Sequence, residues 1–188
     1  MVMLFTRRLA LTLLTAVTHC QVVKISAHQD LIGEFDRLRA TLTEGPANWV
    51  PGPFETEMTT VTELSAETPF GRLSRYARVE TGPPELHEGE VIVPISWQSL
   101  EGEELFPTVY GELRLHRVAD GRSQLELRGY YAPPGGVLGQ ADDAVVMNAL
   151  AKATVEDFVR RVAGSLARNA LGLSIDEPVK AGHLTLDG

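Results

Sequence analysis

Residues 130–166, YYAPPGGVLGQADDAVVMNALAKATVEDFVRRVAGSL, contain the change of period that decides how this chain folds. They begin at the end of a run, Ser123–Tyr131, that alternates in polarity as a half-buried strand does. Pro133-Pro134-Gly135-Gly136 follows. Two prolines stop a strand ladder, and the glycines let the chain turn sharply. Beyond the turn the period becomes helical. Val155, Phe158, Val159, Val162 and Leu166 fall at offsets 0, 3, 4, 7 and 11, and Leu138, Ala141, Val145 and Ala149 carry the stripe upstream. Asp142 and Asp143 lie in the first turns and Arg160, Arg161 and Arg168 near the end, as the helix dipole prefers, and Gly172 closes the run. The pattern predicts a helix over 138–171, on the order of 45–50 Å long, enough to cross an entire small sheet.

Upstream the period is two. Met58–Leu64, Gly71–Glu80, Glu90–Gln98, Phe106–His116 and Ser123–Tyr131 read as five successive strands. Their separators are turn chemistry: Thr68-Pro69-Phe70-Gly71, Gly82-Pro83-Pro84, Glu101-Gly102 and Ala119-Asp120-Gly121, of which Asp120-Gly121 is the strongest hairpin signal. Short connections of this kind build an antiparallel meander, and Pro94 marks an edge or a bulge within it. Further upstream, Gln21–Ser26 (QVVKIS) reads as a strand with Cys20 at its edge. Leu31, Phe35, Leu38 and Leu42 then predict a helix over Ala27–Leu42, capped by Ser26 or Asp30 and ended by Gly45-Pro46. Trp49 is the one large anchor in the turn-rich bridge that follows.

The chain has 188 residues, 44% hydrophobic and 22% charged, which fits one globular domain with a core that needs neither metal nor disulfide. A net charge of -8, with no basic run longer than two, argues against a nucleic-acid partner. Cys20 is the single cysteine, so no intrachain disulfide and no thiolate zinc site can form, in keeping with a cytoplasmic location. Residues 1–19 carry Arg7, Arg8 and an apolar stretch from Leu9 to Val17. That stretch is too short to span a bilayer, so no stable membrane insertion is expected, and it lacks a small-x-small cleavage site. It reads as an extra strand, a packed helix or a spurious start, with a secretory signal as the lesser alternative. The expected domain is 20–172, followed by a tail at 173–188.

Strand, helix, antiparallel meander and long C-terminal amphipathic helix, in that order, give an α+β chain that resembles the helix-grip fold of the SRPBCC superfamily. That superfamily includes the START lipid-binding domains and the polyketide cyclase/dehydrase family. The stretches that carry the resemblance are QVVKISAHQDLIGEFDRL at 21–38 and the 130–166 segment quoted above. The resemblance covers roughly residues 20–171. It implies a curved antiparallel sheet wrapped around the C-terminal helix, with a ligand cavity between them.

No motif for phosphate, dinucleotide or metal is present, and no cofactor is expected. Pro133–Gly139 lacks the Lys-Ser/Thr of a P-loop, and no Gly-x-Ser-x-Gly elbow occurs. His19, His28, His87, His116 and His183 are scattered without ligand spacing. More informative are the polar aromatics Tyr76, Trp97, Tyr110, Tyr130 and Tyr131 and the arginines on the same strands, Arg72, Arg75, Arg78, Arg114, Arg117 and Arg128. One of them pointing inward could orient a ligand carbonyl. Tyr130 and Tyr131 must face opposite sides. If the cavity exists, the helix residues against it are Met147, Leu150, Ala151, Thr154, Val155 and Phe158, with Tyr76, Trp97, Tyr110 and Tyr130 from the sheet. Small residues there leave room, and Met147 adapts to varied shapes.

The expected partner is thus a small hydrophobic or amphipathic ligand, a lipid, sterol or polyketide-like molecule. A cyclase or dehydratase of the polyketide type is the alternative, for which no acid–base constellation can be singled out. A surface-acting interaction protein with a collapsed cavity is the third, and a homodimer is left open.

Overall fold

In the computed structural model the described residues are 23–52, 54–56, 58–68, 71–100, 106–132 and 141–172. The 1–19 extension, Cys20, the Glu101-Gly102 separator, the 133–136 turn, His183 and the tail at 173–188 lie outside them.

The elements run β1 (Val23–Ile32), α1 (Phe35–Thr43), a 3-10 turn (Pro46–Asn48), β2 (Phe54–Thr56), β3 (Thr59–Thr68), β4 (Gly71–Thr81), β5 (Glu85–His87), β6 (Glu90–Ser99), β7 (Thr108–Ala119), β8 (Arg122–Ala132) and α2 (Ala141–Ala170). The strands form one antiparallel sheet in the order β1-β8-β7-β6-β4-β3-β2, with β5 paired to β6. The Asp120-Gly121 turn joins β7 to β8, with Gly121 at φ 65°, where a side chain would be strained. α2, 30 residues and about 45 Å long, packs against both β1 and β3. Those two strands lie near opposite ends of the sheet order, so one helix can touch both only if the sheet curls around it. This is the α+β helix-grip arrangement that the order of elements implies.

The core lies between the curled sheet and α2. Val79, Val91, Val93, Ile95, Val109, Leu113, Leu115, Leu125 and Leu127 point inward from alternate strand positions. They meet Ala151, Val155, Phe158, Val159, Val162, Ala163 and Leu166 of α2. Trp97 packs on Phe158 with ring centroids 4.9 Å apart, and its indole N–H donates to the Pro107 carbonyl at 3.2 Å. Trp49 is the anchor its bridge called for: it is buried and donates to the Leu42 carbonyl at 3.1 Å.

The segment after the first strand differs from expectation. Instead of turning helical at Ala27, β1 continues to Ile32, paired residue for residue with β8 from Val23↔Tyr131 to Ile32↔Arg122. Ala27 and Leu31 are buried because positions four apart share a strand face as well as a helix face. The ladder with β8 decides between the two, since it pairs the whole stretch in register and satisfies the half of its backbone groups that faces β8. α1 starts at Phe35 after Glu34, with no side-chain cap, and Asp30 instead accepts a hydrogen bond from Gln124 at 2.8 Å. Pro94 sits neither on an edge strand nor at a bulge of the described ladders. β4 pairs with β6 only as far as Ile95 and β5 only from Ile92, so the missing N–H of Pro94 falls in the gap between them. Its carbonyl still accepts from Gly82 N at 2.8 Å.

Candidate functional site

The register divides the ten sequence-derived ligand residues into two groups. Trp97, Leu150, Ala151, Thr154, Val155 and Phe158 are buried, and Met147 is half-buried. The Thr154 hydroxyl is spent on the Leu150 carbonyl at 2.8 Å. Tyr76, Tyr110 and Tyr130 are on the outer face of the sheet, 60%, 58% and 46% exposed. They cannot share a pocket with the helix residues. The reason is parity: Tyr76 precedes buried Ala77, Tyr110 follows buried Val109, and Tyr130 precedes buried Tyr131.

Tyr131 is therefore the tyrosine of the inner face. It sits in one inward row with Trp97, Val109 and Val23. Only 2% exposed, it donates its hydroxyl to Asn148 Oδ1 of α2 at 2.6 Å, and burial pushes its pKa above the usual tyrosine value. It is a protonated donor at neutral pH. The signal that finds it is present in the sequence: Leu125 and Leu127 set the inward parity, and Tyr131 shares it. Nothing local announces Asn148 as its partner, because that contact depends on how α2 crosses the sheet.

Around this pair the helix is loosely covered. Val145 and Val146 are 69% and 65% exposed, Met147 is half-buried, and Val23 and Ile25 of β1 are only partly buried. The apolar surface that the helix–sheet interface leaves accessible on α2 is thus gathered at one end, beside a tyrosine–amide pair.

The middle of α2 is held by a polar knot that the sequence reading did not identify. Asp157 accepts from the Ser65 hydroxyl at 2.7 Å, from Arg161 Nε at 2.8 Å and from Arg160, while Arg72 donates to Ser65 Oγ at 2.9 Å. Burial alone would raise the Asp157 carboxyl. The Ser65 hydrogen bond and the charges of Arg161 and Arg160 outweigh it and hold the pKa below its ordinary value. The knot ties α2 to β3 and leaves Asp157 with no free role as a base. From Asn148 to Asp157 is nine residues, about 13 Å along the helix. No group of three metal-ligating side chains occurs among the described residues. His87 is on β5, exposed, 3.9 Å from Glu85. No helix among them is long and apolar enough to cross a membrane.

No family model matches this chain, and no curated protein does. Solved structures similar to it include norcoclaurine synthase from Thalictrum flavum in complex with dopamine and hydroxybenzaldehyde, 12% identical with a TM-score of 0.48 over 90% of this chain and 99% of that one. The Zhui aromatase/cyclase from a Streptomyces species is 16% identical, with a TM-score of 0.40 over 81% and 93%. A STAR-related lipid transfer protein from Xanthomonas axonopodis is 13% identical, with a TM-score of 0.41 over 75% and 84%. Cyclases and START-type proteins are the kinds the sequence already resembles. The likeness is one of fold, and the ligands and reactions in those names belong to those proteins.

Proposed function

We propose that this protein binds a small hydrophobic or amphipathic ligand, of lipid, sterol or polyketide-like type, between the inner face of the sheet and the N-terminal half of α2. The observation that supports this is the pairing of partly accessible apolar side chains, Met147 with Val23 and Ile25, with one polar anchor, the hydrogen bond from buried Tyr131 to Asn148. Ligand sites combine an apolar lining with a few placed polar groups in this way. The acting unit is taken as residues 20–172, in the cytoplasm and without a nucleic-acid partner. Acid–base catalysis of the cyclase type finds less support. Its two inward titratable groups would be Tyr131 and Asp157, which lie too far apart to work on one substrate atom and of which the second is committed to Ser65 and two arginines.

The test is thermal unfolding of the purified protein with a panel of fatty acids, sterols and flat polyketide aromatics. A raised Tm with at least one of them, lost in Leu150→Trp, which fills the site, is the expected result. No shift across the panel, with native mass spectrometry also finding no co-purified small molecule, overturns the reading.

A further inference from the structure

Gly111 of β7 and Gly129 of β8 are register partners in the middle of the sheet. A Cβ on Gly111 would stand 2.3 Å from the Arg128 carbonyl oxygen and 2.8 Å from Gly129 Cα, and a Cβ on Gly129 would meet Tyr110 O and Gly111 Cα at 2.3 and 2.9 Å. By strand parity with buried Val109, Leu113, Leu127 and Tyr131 these absent side chains belong to the inner face. The two strands therefore approach too closely on the inner face to hold a side chain there, as a sharp fold of the sheet toward α2 requires, and on the outer face the side chains splay apart. Glu112 and Arg128 fit that splay. They are opposite in charge and opposite in register, yet the ion pairs they form run along their own strands, Glu112 to Arg114 at 3.7 Å and Arg128 to Glu126 at 2.7 Å.

On this outer face lies an open groove of about 510 Å³ over the backbone of Ile25, Gly111 and Gly129. One wall is the rung Lys24–Tyr130, the other the rung Ser26–Arg128–Glu112. The rungs are two residues apart, about 7 Å along the strands, which is the spacing at which one ring can lie against the face of Tyr130.

We propose that this groove is a second binding site, for a polyhydroxylated ring of the sugar class, separate from the helix–sheet site. The walls select for it by their mixed chemistry. Glu112 only accepts hydrogen bonds, Lys24 and Arg128 only donate, and Ser26 and the Tyr130 hydroxyl do both. A hydroxyl both donates and accepts and so serves all of these, and neighbouring hydroxyls on a ring can bridge Glu112 to Arg128 between their strands. An anion would meet the charge of Glu112, and a cation those of Lys24 and Arg128. Hydrogen bonds to charged groups are the strong kind, and three of the five wall residues are charged.

The experiment is an amide NMR titration of the full chain with glucose, galactose, mannose and cellobiose, with benzoate and glycine betaine as the anionic and zwitterionic comparisons. The amides of Gly111 and Gly129 should shift with at least one sugar and not with the comparisons. Glu112→Gln and Tyr130→Ser should each weaken that sugar about tenfold, the loss of one charge-assisted bond or of the stacking face, with Tm unchanged because both side chains are exposed. Lys24→Ala, on the same wall as Tyr130, is the further check and should weaken the same sugar. The proposal is overturned if no sugar moves these amides, if benzoate or betaine moves them and sugars do not, or if the variants bind as the parent does.

Discussion

The two halves of α2 are built from the same periodic sequence and pack in different ways. From Ala151 to Leu166 the inward stripe is sealed, Phe158 is stacked on Trp97, and Asp157 is knotted to Ser65 and two arginines. From Val145 to Leu150 the helix shows valines to solvent, and only Leu150 is buried beside the hydrogen bond that Asn148 accepts from Tyr131. A helix fixed through its middle and C-terminal half and lightly held at its N-terminal end can open that end without unfolding, because local stability follows the density of buried contacts. The sealed half maintains the fold, and under the proposed function the loose half is where the ligand would enter.

That contrast can be broken most forcefully at Phe158. Phe158→Ala removes a fully buried ring and should cost about 3–5 kcal/mol, lowering Tm by roughly 10 °C in calorimetry or a denaturation scan. Next comes the knot. Asp157→Asn should cost about 2 kcal/mol at pH 7, since it leaves Ser65, Arg160 and Arg161 facing an uncharged amide. Because the folded pKa lies below the unfolded 3.8, the carboxylate's contribution is complete above about pH 4 and is lost as pH falls through the folded value. The gap in stability between parent and D157N should therefore narrow below pH 3.8, and a gap independent of pH would sink the electrostatic account.

At the loose end the expected stability effects shrink while the ligand effects grow. Tyr131→Phe deletes one hydrogen bond and should cost about 1 kcal/mol, with a loss of ligand-induced Tm shift larger than that of the Phe158 variant when each is compared with its own unliganded form. The smallest stability change is expected for Val145→Lys, within about 0.5 kcal/mol for an exposed position. If V145K instead unfolds the protein as badly as F158A, the two halves are equivalent and the comparison fails.

Much of this was legible beforehand. The strand-to-helix switch after Tyr131, the Asp120-Gly121 hairpin and the Trp49 anchor all follow from local chemistry, and the structure keeps each of them where it is described. The errors share a cause. Leu31 fits both a helix and a strand because four-residue spacing satisfies either period, and only the distant partner β8 settles it. Tyr76, Tyr110 and Tyr130 were grouped by residue type, although their own neighbours Ala77, Val109 and Leu127 already give the parity that turns them outward. Asn148 and Asp157 carried no signal of their role, since their partners Tyr131 and Ser65 lie far away in the chain.

The sequence by itself determined the list of elements, the period of each and the relative orientation of side chains within a strand, because these depend on bonds and turns a few residues long. The tertiary structure decided where β1 ends, which end of α2 is tight, and that Gly111 meets Gly129 in a crease. Each of these rests on contacts between distant segments, where backbone pairing across strands and the direction in which a helix crosses a curled sheet outweigh the local preference of any single residue.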